Sequence, residues 1–212
     1  MAATAVIVVD LQGDFTTWKN GALAVPGTDW GYIDSVRRAT EALKRQGLPV
    51  FATQDWHPAD HVSFYTNHPG GKPFDLIALG HRSQVLWPPH CVQGTEKAGL
   101  LLEETLFEAI VQKGRDRNFD SYSGFKDDGG SPTGLEELLQ GCGVRELIVY
   151  GIATDYCVKA TALDAVAAGF RVSVVEPLCR GVAPDTTAAA LAAMREMGAA
   201  VVSGLEALKG LA

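Results

Sequence analysis

The sequence predicts an α/β fold, a parallel sheet covered by helices on both faces. Short runs rich in Val and Ile alternate with longer amphipathic segments, which is typical of βαβ units. These runs contain few polar residues, as expected for strands buried on both sides. We therefore expect a doubly wound, three-layer α/β/α arrangement around a mostly parallel sheet.

The elements follow from this pattern in chain order. Six strands are predicted, at 4–10, 49–54, 107–113, 146–151, 171–176 and 199–203. Helices are predicted at 29–45, 133–140, 155–168 and 184–197, and Gly47, Gly169 and Gly198 mark the ends of three of them. A further short helix is expected at about 99–106. Residues 56–98 break the rhythm with histidines, prolines and glycines, so we expect an insertion with a function there.

The composition is that of a globular protein. The chain has 212 residues, of which 47% are hydrophobic and 20% charged, and this predicts a single domain over 1–212. Its 25 acidic and 18 basic side chains give a formal net charge of −7. No basic field is available to hold a phosphate backbone, so nucleic acid is not expected as a partner.

The amino terminus and the cysteines predict a cytoplasmic protein. The first apolar run meets Asp10 too early for a signal peptide or a membrane span, so no membrane partner is expected. The four cysteines are scattered and form no CxxC pair, which favours reduced thiols over a disulfide framework. A homo-oligomer is possible, and the sequence leaves the number of subunits open.

Polar residues follow four of the predicted strands. They are Asp10, Asp55, Lys113 and the segment 151–157. In an open parallel sheet, ligands bind outside the carboxyl ends of the strands, near the point where the strand order reverses. We therefore expect these four positions to converge on one crevice.

Cys157 is the candidate nucleophile in that crevice. It lies in the first turn of a predicted helix that Thr154 or Asp155 could cap, where free N–H groups favour a thiolate. Lys113 would stabilise the negative sulfur further, and Asp10 could take the thiol proton and return it to a leaving amine. The alternative is that Cys157 is a small buried hydrophobe and Lys113 a solvated loop residue.

A second set of residues suggests a metal site. Asp55 and His57 are two residues apart on an extended segment and point the same way, and His90 could close the site from the far end of the insertion. Carboxylate and imidazole ligands without a thiolate suit zinc, iron or manganese. Hydrogen-bonded packing of the histidines is the alternative. His61 lies close by, whereas His68 and His81 are expected to be solvated.

Three aromatic residues could form a flat slot for a planar ring. Phe15, Trp87 and Tyr122 each lie in a loop that should reach the crevice. For each of them, packing in the core is the alternative.

Five motifs together resemble the nicotinamidase branch of the isochorismatase-like cysteine hydrolases. They are VVDLQGDF (8–15), QDWHPADHVSF (54–64), WPPHC (87–91), YSGF (122–125) and GIATDYCVKAT (151–161). The match covers nearly the whole chain in order. The DWHP and WPPHC elements distinguish nicotinamidases from relatives that lack the metal.

The resemblance implies roles for individual residues. It implies a sheet of about six strands, a catalytic triad of Asp10, Lys113 and Cys157, and metal ligands at Asp55, His57 and His90. It also implies a cis peptide between Ile152 and Ala153, and an oxyanion hole made by the N–H groups of Ala153 and Cys157. His61 matches a position that ligates metal in some relatives only, and the charged loop 114–121 says little about substrate.

The activity implied is hydrolysis of nicotinamide to nicotinate and ammonia through a cysteine thioester, with pyrazinamide as a further substrate. One divalent transition metal ion is expected, with zinc the first expectation and iron or manganese the alternatives. Rival interpretations are another amidohydrolase or an isochorismatase of the same family, or a binding module without catalysis. A binding module without catalysis would be expected to lack at least one of the polar residues at the strand ends, and all of them are present in this chain.

Overall fold

The computed structural model describes residues 3–210, without the side chains of 209 and 210, so four residues of the predicted domain 1–212 lie outside it. The described residues form eight strands: β1 Ala3–Val9, β2 Val50–Asp55, β3 Leu76–Leu79, β4 Arg82–Val85, β5 Ala109–Lys113, β6 Val144–Ile152, β7 Arg171–Arg180 and β8 Ala200–Val202. The α-helices are α1 Trp30–Arg45, α2 Leu135–Gly141, α3 Lys159–Ala167 and α4 Pro184–Glu196. The assignment of the chain to a single domain remains a prediction.

Six strands form the central sheet, in the order β5-β2-β1-β6-β7-β8. Every neighbouring pair in it is parallel, as the apolar runs predicted. The chain moves outward in one direction through β1, β2 and β5, and in the other through β6, β7 and β8. Because βαβ crossovers are right-handed, α1 covers one face of the sheet and α3 and α4 cover the other. The strand order therefore reverses between β1 and β6.

Local sequence explains where the first helix begins. The Asp29 side chain accepts a hydrogen bond from the Tyr32 N–H, an N-cap that satisfies one of the free donors of α1.

Side chains of α1 also bond to the sheet. Tyr32 Oη donates to the carbonyl oxygens of Gly151 and Leu178, and Thr40 Oγ1 lies 2.8 Å from Tyr150 Oη. These bonds fasten α1 to β6 and β7.

Two of the predicted elements differ from the structure. The helix expected at about 99–106 is wrong, since only Glu104–Leu106 form a single 3₁₀ turn. Residues before it are extended, with Leu100 bridged to Gln12 and the Leu101 N–H donating to the Leu11 carbonyl. Pairing with the turn after β1 has thus replaced a local helix. The predicted strand 171–176 continues to Arg180, alongside the end of β6.

The insertion at 56–98 is held by short pairings and by its own buried residues Phe64 and Leu86. It contains the antiparallel hairpin β3–β4, which the sequence did not predict because its strands are four residues long and half exposed. Isolated bridges join Phe64 to Trp87 and His57 to Val92. The insertion is thereby folded back over the end of β2.

Within residues 3–210, the structure contains no helix with the length and apolar character needed to cross a membrane.

Candidate active site

The four predicted positions lie side by side at one edge of the sheet. The strand order β5-β2-β1-β6 brings together Lys113, Asp55, Asp10 and the segment after Ile152. Asp55 and Lys113 are direct partners across β2 and β5, and Val9, just before Asp10, pairs with Gly151. The convergence expected from the periodicity is therefore confirmed.

Asp10 is fully buried and held by its neighbour on β2. Its N–H donates to Thr53, and the Thr53 hydroxyl donates to Asp10 Oδ1 at 2.6 Å. The second oxygen, Oδ2, lies 2.9 Å from Lys113 Nζ but accepts no hydrogen bond of good geometry from the described residues. Burial raises the pKa of Asp10, while the Lys113 charge opposes that shift. Oδ2 is thus an available acceptor for a proton.

Lys113 lies between the two carboxylates. Its ammonium is 2.5 Å from Asp55 Oδ1, donates to the Ser121 carbonyl at 2.7 Å and lies 3.6 Å from Cys157 Sγ. Burial opposes the charge, but Asp10 and Asp55 raise the pKa of Lys113 well above its usual range. The alternative of a solvated loop residue is excluded, because Lys113 is the last residue of β5 and is only 2% exposed.

Cys157 lies in a π-helical turn, Thr154–Val158, directly before α3. Its exposed fraction is 7%, and it lines the cavity described below. Burial raises the pKa of the thiol well above its usual value, although Lys113 acts in the opposite direction. Burial thus disfavours the thiolate expected from the sequence, and a neighbouring base would assist its formation.

The expected cap of this helix is wrong. Neither Thr154 nor Asp155 provides a side-chain cap for the turn or for α3. The Asp155 carboxylate instead accepts hydrogen bonds from the N–H groups of Val182 and Ala183 and from the Thr186 hydroxyl. It thereby satisfies donors at the start of α4, a long-range contact that chain spacing cannot indicate.

The turn before Cys157 has the backbone that the resemblance implied. The peptide between Ile152 and Ala153 is cis. Gly151 has φ of +138°, and a Cβ there would lie 2.1 Å from the Val9 carbonyl oxygen, so only glycine fits between the two strands. Ala153 and Cys157, the two residues of the expected oxyanion hole, both line the cavity.

Asp55, His57 and His90 form a buried group with the chemistry of a metal site. Each offers one ligand atom, and the three atoms lie within 4.8 Å of one another. His57 Nδ1 donates to the Gly114 carbonyl at 2.9 Å and His90 Nδ1 to the Pro88 carbonyl at 2.8 Å, which leaves both Nε2 atoms free as ligands. One carboxylate and two imidazoles fit a divalent transition metal.

The protonation of these groups is also compatible with a metal. Burial lowers the pKa of His90 to about 4, so its imidazole is neutral at pH 7. Burial disfavours charge on Asp55, but Lys113 and His57 lower its pKa overall, and the carboxylate is ionised. Burial opposes protonation of His57 as well, yet Asp55 raises the His57 pKa, so a metal ion would compete with a proton there.

A second acidic set, Asp10, Asp55 and Cys157, has similar spacing. The ammonium of Lys113 lies among these three side chains, within 3.6 Å of each. This cation already lies between the two carboxylates, so we assign no metal to the set.

Two loop contacts bring His57 and His90 together. The His57 N–H donates to the Cys91 carbonyl, and the Cys91 N–H donates to Asp14 Oδ2 at 2.7 Å. Gly114, whose carbonyl holds the His57 ring, has φ of +66°, and a Cβ on it would lie 2.3 Å from that ring. Asp14 and Gly114 were not identified from the sequence as site residues, although Asp14 stands in the VVDLQGDF motif.

The other histidines are not metal ligands in this arrangement. His61 Nδ1 accepts from the Ser63 N–H, and Nε2 bonds to the Phe119 carbonyl, so both nitrogens are used. Its ring centroid lies 4.5 Å from that of His57, in the outer-shell position left open by the sequence. His81 is exposed as predicted, whereas His68 is half-buried and donates to the Val62 carbonyl, so the prediction of a solvated His68 is wrong.

The thiol and the metal group open into one cavity of about 250 Å³. The three predicted aromatic residues line it: Phe15 lies 5.6 Å from the His90 ring, and Trp87 Nε1 donates to Tyr122 Oη at 3.2 Å. Tyr156, which the sequence analysis missed, packs edge-on to Trp87 at 5.7 Å between ring centroids. The cavity is thus lined by aromatic rings on one hand and by the polar groups of Cys157 and the metal group on the other.

The loop 114–121 contributes more than its sequence suggested. Asp120 and Ser121 line the cavity, and Asp120 Oδ2 accepts from Gln84 Nε2 at 2.6 Å. The loop therefore contributes to the cavity, a position that its sequence did not indicate. It is held there by contacts with the insertion, since the guanidinium of Arg82 also lies 4.3 Å from the centroid of the Phe119 ring.

Comparison with known proteins places the chain in a family. The isochorismatase domain model matches residues 4–206. The chain is 43% identical over 204 residues to the nicotinamidase of Escherichia coli, covering 94% of each chain. A pyrazinamidase of Pyrococcus horikoshii in complex with zinc superposes with a TM-score of 0.78 at 36% identity, covering 94% of this chain and 98% of that one.

The PnC1 protein of L. infantum in complex with nicotinate superposes with a TM-score of 0.81 at 35% identity, covering 95% of this chain and 92% of that one. Family, relatives and fold agree over almost the whole length of the chain. The chain belongs to the isochorismatase family.

Proposed function

We propose that the chain is a nicotinamidase, which hydrolyses nicotinamide to nicotinate and ammonia. The observation that carries this proposal is that one small aromatic-walled cavity is lined by both Cys157 and the group Asp55, His57 and His90. A nucleophile and a site for a ring nitrogen thus face the same space. The relatives named nicotinamidase and pyrazinamidase support the same substrate class.

Asp10 and Cys157 carry the covalent step. Asp10 Oδ2 takes the thiol proton as Sγ attacks the carboxamide carbon of nicotinamide, and the C–N bond then breaks while Asp10 gives that proton to the departing ammonia. A water molecule next loses a proton to Asp10 and attacks the thioester. The C–S bond breaks, Sγ recovers a proton from Asp10, and the nicotinic acid formed releases its own proton to solvent and leaves as nicotinate.

Two further groups stabilise charge during these steps. Lys113, 2.9 Å from Asp10 Oδ2 and 3.6 Å from Cys157 Sγ, keeps the site electropositive while the sulfur becomes anionic. The N–H groups of Ala153 and Cys157 would hold the oxyanion of each tetrahedral intermediate. Removal of one such donor typically lowers the rate by about 100–1,000-fold.

Asp55, His57 and His90 would hold a divalent transition metal ion, with zinc as the first candidate and iron or manganese as alternatives. When bound, the ion would supply a Lewis acid for the pyridine nitrogen. Phe15, Trp87 and Tyr122 orient the ring from the sides of the cavity. The zinc complex of the Pyrococcus relative supports a metal site, and the nicotinate complex of the L. infantum relative supports a pyridine ligand.

Ammonia release tests the proposed function. The purified protein is supplied with nicotinamide, pyrazinamide, an N-carbamoyl amide and isochorismate in parallel. Rapid ammonia release from nicotinamide, with pyrazinamide as a second substrate, is expected. Preference for the N-carbamoyl amide or for cleavage of isochorismate would support one of the rival family activities and contradict the proposal.

A further inference from the structure

Gln12 occupies the turn that follows β1, two residues beyond Asp10. Its side chain is fully buried, and its backbone N–H donates to the Asp10 carbonyl at 2.8 Å. No step of the proposed reaction uses this side chain. A buried primary amide nevertheless needs partners for two N–H donors and one carbonyl oxygen.

All of these groups have partners, and two of the three bonds go to the backbone of Asp55. Gln12 Oε1 accepts from the Asp55 N–H at 2.8 Å, and Nε2 donates to the Asp55 carbonyl at 2.8 Å and to the Ala98 carbonyl at 2.7 Å. Turning the amide over would set its oxygen against two carbonyl oxygens, so the partners fix its orientation.

These bonds replace a missing strand neighbour. The pairing of β1 with β2 ends at Val9 and Thr53, so the backbone of Asp55 extends past the last residue of β1. On its other side, Asp55 still pairs with Lys113 of β5. The Gln12 amide therefore continues the hydrogen-bond ladder for one more residue of β2.

The Asp55 carboxylate makes contacts with two different groups of the site. Asp55 Oδ1 lies 2.5 Å from Lys113 Nζ, and Oδ2 lies 3.6 Å from His57 Nε2. One carboxylate thus faces the catalytic lysine and the metal donors at once, and a rotation of the Asp55 backbone would disturb both contacts.

We propose that Gln12 is a positioning residue whose side-chain amide fixes the Asp55 backbone, so that the Asp55 carboxylate serves Lys113 with one oxygen and the metal site with the other. This inference rests on the proposed metal site and activity. Outer-shell partners of a metal ligand typically contribute about 10–100-fold in metal affinity or activity.

The chain offers a matched control for the test. Gln54 is also buried and also donates to the Ala98 carbonyl, at 3.0 Å, but its remaining side-chain bond is to Gln112 rather than to Asp55. Gln12→Met and Gln54→Met therefore both remove a buried amide beside Ala98. Only Gln12→Met removes the bonds to Asp55.

The experiment measures the zinc dissociation constant of each purified protein by chelator competition, its thermal midpoint, and kcat and KM for nicotinamide at saturating zinc. In Gln12→Met we expect zinc binding about 10–100-fold weaker and a lower kcat, because Lys113 loses its aligned partner. In Gln54→Met the zinc dissociation constant and kcat should stay within about 3-fold of the wild-type values, well below the effect expected for Gln12→Met.

A purely structural role for Gln12 would lower the thermal midpoint of Gln12→Met and leave its zinc affinity unchanged, which would overturn the proposal. If Gln12→Met does not fold, Gln12→Glu keeps the shape and the acceptor but loses the amide donors, and unchanged zinc affinity in that variant would equally overturn it. Failure of wild type to release ammonia from nicotinamide would contradict the proposed function alone, since the zinc comparison stands without it.

Discussion

The two halves of the site are built in different ways. Asp10 directly follows β1, Lys113 ends β5, and Cys157 lies in the turn after β6, so the register of a buried parallel sheet largely fixes their spacing. His57 and His90 lie on loops of the insertion, which are joined by the short backbone bridge between His57 and Val92. The catalytic triad is therefore positioned by the sheet, whereas the metal ligands His57 and His90 are positioned by loop contacts that a single substitution can remove.

The largest effect is expected on the sheet side. Cys157→Ala should lower kcat for nicotinamide by roughly 10,000-fold or more, as loss of a nucleophile does in other covalent hydrolases. Cys179→Ala is the control, since Cys179 is similarly buried but donates to the Val175 carbonyl and does not line the cavity. Ammonia assays on both variants check this, and substantial turnover by Cys157→Ala would remove the proposed nucleophile.

The next effect is expected in the insertion. His57→Ala removes a metal ligand, so kcat/KM for nicotinamide should fall by more than about 100-fold, the upper end for outer-shell changes. His68→Gln is the control, because His68 donates to the Val62 carbonyl and is not part of the metal group. Metal analysis should find about one zinc per chain in His68→Gln and far less in His57→Ala; equal metal content in the two variants would contradict the assignment.

A smaller effect should come from the loop that supports His57. Gly114 and Gly130 both have positive φ, but a Cβ on Gly114 meets the His57 ring at 2.3 Å whereas one on Gly130 meets nothing within 4 Å. Alanine at either position should lower the free energy of unfolding by about 1–2 kcal/mol through backbone strain. Only Gly114→Ala should also weaken zinc binding, by about 10-fold.

Chemical denaturation and zinc titration of the two glycine variants separate these contributions. Equal zinc affinity in Gly114→Ala and Gly130→Ala would mean that the position of the His57 ring does not depend on Gly114.

The same contrast explains what the sequence could predict. The triad was predictable because apolar runs define strands, and the carboxyl ends of parallel strands meet at one edge. The spacing of Asp55 and His57 indicated a metal site that His90 could close, and the shared motifs implied the same three ligands. Burial disfavours the Cys157 thiolate, and long-range hydrogen bonds hold the side chains of Asp155, Asp120 and Gln12. Local sequence patterns contain none of this information.

The central claim is that the sheet side activates the sulfur and the insertion binds the ring. It is tested most directly by the rate at which iodoacetamide alkylates Cys157 in His57→Ala, measured beside ammonia release from nicotinamide. Both proteins carry Cys142→Ala, because Cys142 is exposed and would react as well. We expect the alkylation rate of His57→Ala to stay within about 3-fold of the rate of the protein that keeps His57. Its turnover of nicotinamide should fall by more than about 100-fold. A parallel loss of alkylation and turnover would contradict the division of roles between the two halves.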